Sequence, residues 1–127
     1  MPEIKLLDGA IGTELISRGI NLPKHIWSAE SNLINSELIY QIHKEYINAG
    51  SQYITTNTFR TTPRAYKNYG FSSLEAEKNA KKSLISALNS AKKAQQENVK
   101  ILGSIAPLED CYMPNLFPNK YTAQKEF

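Results

Sequence analysis

A chain of 127 residues with 41% hydrophobic and 21% charged side chains is long enough to bury a core, and its mixture excludes disorder and collagen-like repetition. The formal charge of +3 comes from lysines scattered among acids and polar residues, such as Lys78, Lys81, Lys82, Lys92 and Lys93, a pattern that solvates a helix face and does not grip nucleic acid. The single cysteine, Cys111, excludes an internal disulfide framework and any multi-cysteine metal centre made by this chain alone, and suits a reducing cytoplasm.

The opening Met-Pro-Glu-Ile-Lys has no basic region leading into an apolar one, so no leader is expected. No apolar run approaches the roughly 20 residues of a membrane span, so no membrane partner is expected either. Residues 4–7 read as a short buried strand that stops at the Asp8-Gly9 turn. Residues 10–18 suit a short helix with Ile11, Leu15 and Ile16 on one side, broken by Gly19 and Pro23, and a loop carrying Trp27 follows. Ser36 then reads as the N-cap of a helix with Leu38, Ile39, Ile42 and Tyr46 on one face and Gly50 at its stop.

Residues 52–57 have the branched and aromatic side chains of a strand, and 63–69 add a helical turn or two before Gly70. Ser72-Ser73-Leu74-Glu75 matches a capping box opening a long helix to about residue 96, with Ala80, Leu84, Ala87, Leu88, Ala91 and Ala94 as its apolar positions. Residues 100–105 form a third strand, followed by a long proline-bearing loop and a final helix starting near Thr122. Strands alternating with helical crossovers predict an α/β fold of parallel βαβ units over one domain, 1–127. Three such units begin either an open doubly wound sheet or a closed barrel, and periodicity does not separate the two.

Each predicted strand ends in a polar or turn-forming cluster, Asp8-Gly9, Asn57-Thr58 and Ser104, which would share one rim if the strands run parallel. On spacing alone the better reading is Asp8 as a helix N-cap and Asn57 as a turn residue. The run from Asp8 to Thr13 lacks the Gly-x-Gly-x-x-Gly spacing of a dinucleotide site, although amides at a helix start suit a carboxylate. His43 lies within an amphipathic helix and reads as a surface or packing residue with no assigned chemistry; Tyr40 and Tyr46 read as packing groups.

Five segments together resemble successive landmarks of the homocysteine S-methyltransferase family. They are Leu7-Asp8-Gly9-Ala10-Ile11-Gly12-Thr13-Glu14-Leu15 with Arg18-Gly19, Trp27-Ser28-Ala29, the helix end His43 to Gly50, Ile54-Thr55-Thr56-Asn57-Thr58-Phe59, and Gly103-Ser104-Ile105-Ala106-Pro107-Leu108. Their order covers nearly the whole chain.

The resemblance implies the first three or so βα units of an incomplete (β/α)₈ TIM barrel, a fold that needs about 250 residues. It implies methyl transfer from a donor to the thiol of homocysteine to give methionine, with zinc held by three cysteine thiolates in the complete family member. It also implies Asp8 and Gly9 at the amino-acid end of homocysteine, and Trp27, Asn57 and Phe59 in the neighbouring pocket. Trp27 as a lid on the barrel end and Phe59 as a core residue are the alternatives.

No catalytic residue and no metal ligand is assigned within the chain. Cys111 falls before the region of the family's zinc cysteines and is read as a loop thiol. Arg60 stands where the betaine-using branch commonly has an aromatic residue, and the Trp-Ser-Ala landmark leans toward S-methylmethionine as donor. By itself the chain is expected to be inactive and to self-associate through an open edge. The rival readings are another α/β-barrel enzyme and a non-catalytic remnant or interaction module.

Overall fold

The computed structural model describes all residues, 1–127. In chain order it contains α1 (Ile11–Ser17), α2 (Ala29–Ile34), α3 (Ser36–Asn48), β1 (Tyr53–Thr55), α4 (Pro63–Tyr69), α5 (Ser73–Ala94), β2 (Lys100–Leu102), a 3₁₀ turn (Pro114–Leu116) and α6 (Lys120–Glu126). β1 and β2 pair in parallel, with Ile54 opposite Ile101, and Leu7 forms a parallel bridge to Tyr53 on the other side of β1. The fold is mixed α/β with an open sheet.

Alternation along the strands decides where the core lies. Ile54 is fully buried and packs with Ile47 of α3, Ala91 and Ala94 of α5, and Val99, with Ile101 against the same group. Burying an isoleucine of this kind contributes about 1.5–3 kcal/mol. Tyr53, Thr55, Lys100 and Leu102 face the other way, where this chain supplies no second layer. The main departure from expectation lies at the open edge of this sheet: residues 4–7 were expected to form a buried strand, yet Ile4, Leu6 and Leu7 are exposed. The segment is still tied to β1, because the amides of Gln52 and Tyr53 donate to the Leu6 carbonyl and the Asp8 amide donates to that of Tyr53.

The long helix begins as the sequence predicts. Ser72 accepts from the Glu75 amide and Glu75 reaches back to the Ser72 amide, a reciprocal cap of the kind that adds about 0.5–2 kcal/mol. Its buried face differs from the expected apolar stripe: Leu84 is exposed, and the buried positions are Ala76, Ala80, Ser83, Ala87, Ser90, Ala91 and Ala94. Small residues win this face because α5 packs closely on α2 and α3 and bonds to their backbones. Ser83 donates to the Ala29 carbonyl, Ser86 to that of Asn32 and Ser90 to that of Ser36, each across an offset of 54 residues. The Asn32 carbonyl, in the last turn of α2, where helix carbonyls lack intrahelical partners, is satisfied in this way.

α2 was expected to be loop. Its inward residues are Ala29, Ser31 and Asn32, so it carries no apolar period to read. Asn35 rather than Ser36 is the N-cap of α3, Ile16 is exposed, and the three strands are shorter than expected. A second core group, Ile26, Ala29, Ala65, Tyr66, Ala76 and Ala80, joins α2, α4 and α5, while Ile11 and Leu15 of α1 pack on Ile39 and Ile42 of α3. Ion pairs fasten the periphery: Arg18 holds Glu14 and Glu45, and Arg64 of α4 holds Glu109 and Glu126 of α6.

Candidate functional site

The C-terminal ends of Leu7, β1 and β2 open on one cleft of about 850 Å³, lined by Asp8, Gly9, Trp27, Asn57 and Phe59, with Ser104 on its β2 side. All five residues singled out in the sequence therefore meet in one place, and the rim expected from three parallel strand ends is present. Arg60, Lys24, Asp110 and Cys111 also line it.

Asp8 does not cap α1, whose N-cap is Ala10. Its carboxylate turns to β1 instead, accepting from the Thr55 amide at 2.7 Å and from the Thr55 hydroxyl at 3.0 Å. These bonds take two of the roughly four acceptor sites of a carboxylate, leaving capacity for a cationic ligand. Gly9 is required by what lies behind it: a Cβ there would come within 2.7 Å of the Tyr46 hydroxyl, which donates to the Ala10 carbonyl at 2.9 Å. Tyr46 thus supports the Asp8-Gly9-Ala10 turn from α3, a role its helical spacing alone did not reveal.

Asn57 is not a simple turn residue. Its amide donates to the Ser28 carbonyl at 2.8 Å and to Asn32 Oδ1 at 2.9 Å, and its own Oδ1 accepts from the Ser28 hydroxyl at 2.7 Å. Asn32 in turn donates to the Asn57 carbonyl and to Ser83. Asn57 therefore locks the end of β1 to α2 from the cleft wall. One strand over, the Thr58 hydroxyl donates to the Ser104 carbonyl at 2.7 Å and accepts from the Ser104 amide at 3.2 Å, clamping the ends of β1 and β2 together.

Trp27 stands at the mouth, 41% exposed, with φ of 48°. A bulky residue in the left-handed region is uncommon, and such outliers concentrate where function holds them. Gly12 makes room for the indole, since a Cβ there would lie 2.7 Å from its ring nitrogen. Phe59 lines the same cleft, half-buried, beside Arg60.

His43 lies buried on α3 without a hydrogen-bond partner for either ring nitrogen. It is a packing residue, and burial pushes its pKa below the ordinary imidazole value, with the charge of Asp8 opposing weakly. The neutral form is thus the folded form. Where the unfolded chain binds the proton and the folded chain does not, stability rises with pH. The fold is expected to lose stability as pH falls below about 6.5, the free imidazole value, and a His43→Leu variant is expected to flatten that dependence. Urea midpoints at pH 7.5 and 5.5 test this; an undiminished acid loss in the variant would place the sensitivity elsewhere.

No group of three or more His, Cys, Asp or Glu side chains stands close enough to hold a metal ion, and Cys111 is exposed as the single thiol. The residues of this chain do not fit a cysteine-rich zinc centre. No helix is long and apolar enough to cross a membrane.

A family model described as Homocysteine S-methyltransferase matches residues 5–127. This chain belongs to the homocysteine S-methyltransferase family. The Homocysteine S-methyltransferase of Escherichia coli (strain K12) is 34% identical over 110 residues, which are 83% of this chain and 36% of that protein. The crystal structure of the homocysteine methyltransferase MmuM from Escherichia coli in its oxidized form superposes with a TM-score of 0.77 at 30% identity, over 98% of this chain and 46% of MmuM. Its metallated form gives 0.64 at 33% identity, over 84% of this chain and 38% of MmuM. The chain thus spans about a third of the length of that curated relative (36%) and under half of MmuM (46%).

Proposed function

We propose that these residues form the first three βα units of a (β/α)₈ barrel, an enzyme of the cytoplasm that methylates homocysteine to methionine with S-methylmethionine as donor. The observation that carries the reading is the anionic cradle at the strand ends: Asp8, fixed by Thr55 and keeping free acceptor capacity, faces a cleft between Trp27 and Phe59. Strand C-termini are where barrels of this class build their sites.

In this reading Asp8 holds the ammonium of homocysteine, Gly9 lets the backbone approach it, and Trp27 and Phe59 exclude water beside the sulfur. The thiolate attacks the sulfonium methyl in line. A new carbon–sulfur bond forms as the donor's breaks, the donor's bonding pair stays on its own sulfur to leave methionine, and the thiol proton passes to solvent. Bound zinc would favour the thiolate over the thiol near neutral pH. In this reading its ligands lie outside these residues.

Methionine formation from L-homocysteine and S-methylmethionine by the polypeptide carrying this sequence tests the proposal. Turnover with another thiol acceptor and none with homocysteine would overturn it.

The isolated 127 residues are expected to be inactive and to associate, because β2 has no outer neighbour and Ile105 beyond it is 81% exposed. Unpaired edges with apolar neighbours recruit other chains. Sedimentation that found a monomer at all concentrations would contradict this.

A further inference from the structure

The chain has three arginines. Two are each held by a pair of carboxylates, Arg18 by Glu14 and Glu45 and Arg64 by Glu109 and Glu126. Arg60 differs. It follows the end of β1, lines the cleft, is half-buried, and makes no ion pair or hydrogen bond with any protein group, neither with Asp8 nor with Asp110. Its guanidinium lies 5.5 Å from the centroid of the Phe59 ring. An arginine kept partly out of water without a counter-ion is poised for a planar anion that its forked N–H groups can bind in pairs. The cleft already offers an anion, Asp8, for an ammonium group. A cation and an anion on one cleft suit a zwitterionic amino acid, or two of them.

We propose that Arg60 binds the α-carboxylate of an amino-acid ligand in this cleft and makes the site selective for substrates that carry one. The inference rests on the methyl-transfer reading for the identity of those substrates, of which both homocysteine and S-methylmethionine bear the group.

The test uses the polypeptide carrying this sequence, with Arg60→Gln and Arg60→Lys variants, and reads both calorimetric binding and turnover. S-methyl-L-methionine is compared with trimethylsulfonium, a donor without a carboxylate, and L-homocysteine with 3-aminopropane-1-thiol, an acceptor without one. Arg60→Gln is expected to weaken binding, and raise KM, by roughly 10- to 100-fold for one amino acid, as for loss of a charge-assisted hydrogen-bonded pair. Its kcat should change little, and its kcat/KM with the partner lacking the carboxylate should be unchanged. Arg60→Lys should restore part of the loss, supplying charge without the fork. Whichever amino acid shows the loss names the bound carboxylate.

Equal weakening of the ligands with and without a carboxylate, unchanged affinity for both amino acids, or no binding of either by the wild-type protein would each overturn the assignment. Binding that depends on Arg60 in a protein that transfers no methyl group would uphold it and remove the methyl-transfer reading instead.

Discussion

Asn57→Leu is expected to destabilise the fold by about 2–6 kcal/mol, at about 1–3 kcal/mol for each of the two buried polar groups left without a partner. Leucine fits the volume but strands the Ser28 hydroxyl and the Asn32 side-chain oxygen, on residues no more than 6% exposed, and leaves the Ser28 carbonyl with the Ser31 amide as its backbone partner. Such a loss is comparable to the whole stability of a marginal domain, about 5–15 kcal/mol. Urea unfolding of the polypeptide carrying this sequence is the measurement. A midpoint shift worth less than about 1 kcal/mol would mean that water replaces the lost partners, and that Asn57 is less central than its bonds suggest. Asn57→Asp should be nearly as harmful, because a carboxylate has no donor for the Ser28 carbonyl and the Asn32 oxygen.

Asp8→Asn should separate folding from binding. The amide oxygen still accepts one bond from Thr55, so stability should fall by only about 1 kcal/mol. The negative charge offered to a ligand ammonium is gone, and homocysteine binding is expected to weaken by about 10- to 100-fold, with each tenfold worth about 1.4 kcal/mol. Titration with L-homocysteine at neutral pH reads this directly. Unaltered affinity would remove Asp8 from the substrate contacts and leave it the fastener of residues 4–7 to β1.

The helices with strong local signals were legible. The Ser72 box, Gly50 and Gly70 as stops, and the apolar face of α3 are written in consecutive residues, and the structure reproduces them. The strands were legible in position but not in burial, because Leu6 and Leu7 owe their exposure to their place at the open edge of the sheet and not to anything near them in sequence. α2 was illegible for the opposite reason: its inward face is polar and is satisfied by partners 25 to 54 residues away. The five cleft residues could be picked out through the family's motifs. The Asn57 lattice, the Tyr46 prop and the unpaired Arg60 are written only in the fold, since each is defined by which distant groups reach it and which do not.

The alanines of α5 form a surface nearly smooth to sliding, on which apolar burial scarcely distinguishes one helical turn from the next. The three serines index it. A slip of four residues toward the C-terminus of α5 would present Ala87, Ser90 and Ala94 where Ser83, Ser86 and Ser90 now stand, and only one hydroxyl would still meet a carbonyl. A slip of three would drive Lys93 into the dry seam. Because α5 delivers the chain to β2, this indexing within the helical layer determines where Ser104 arrives at the cleft. An error of one turn outside would be felt as a misplaced rim inside.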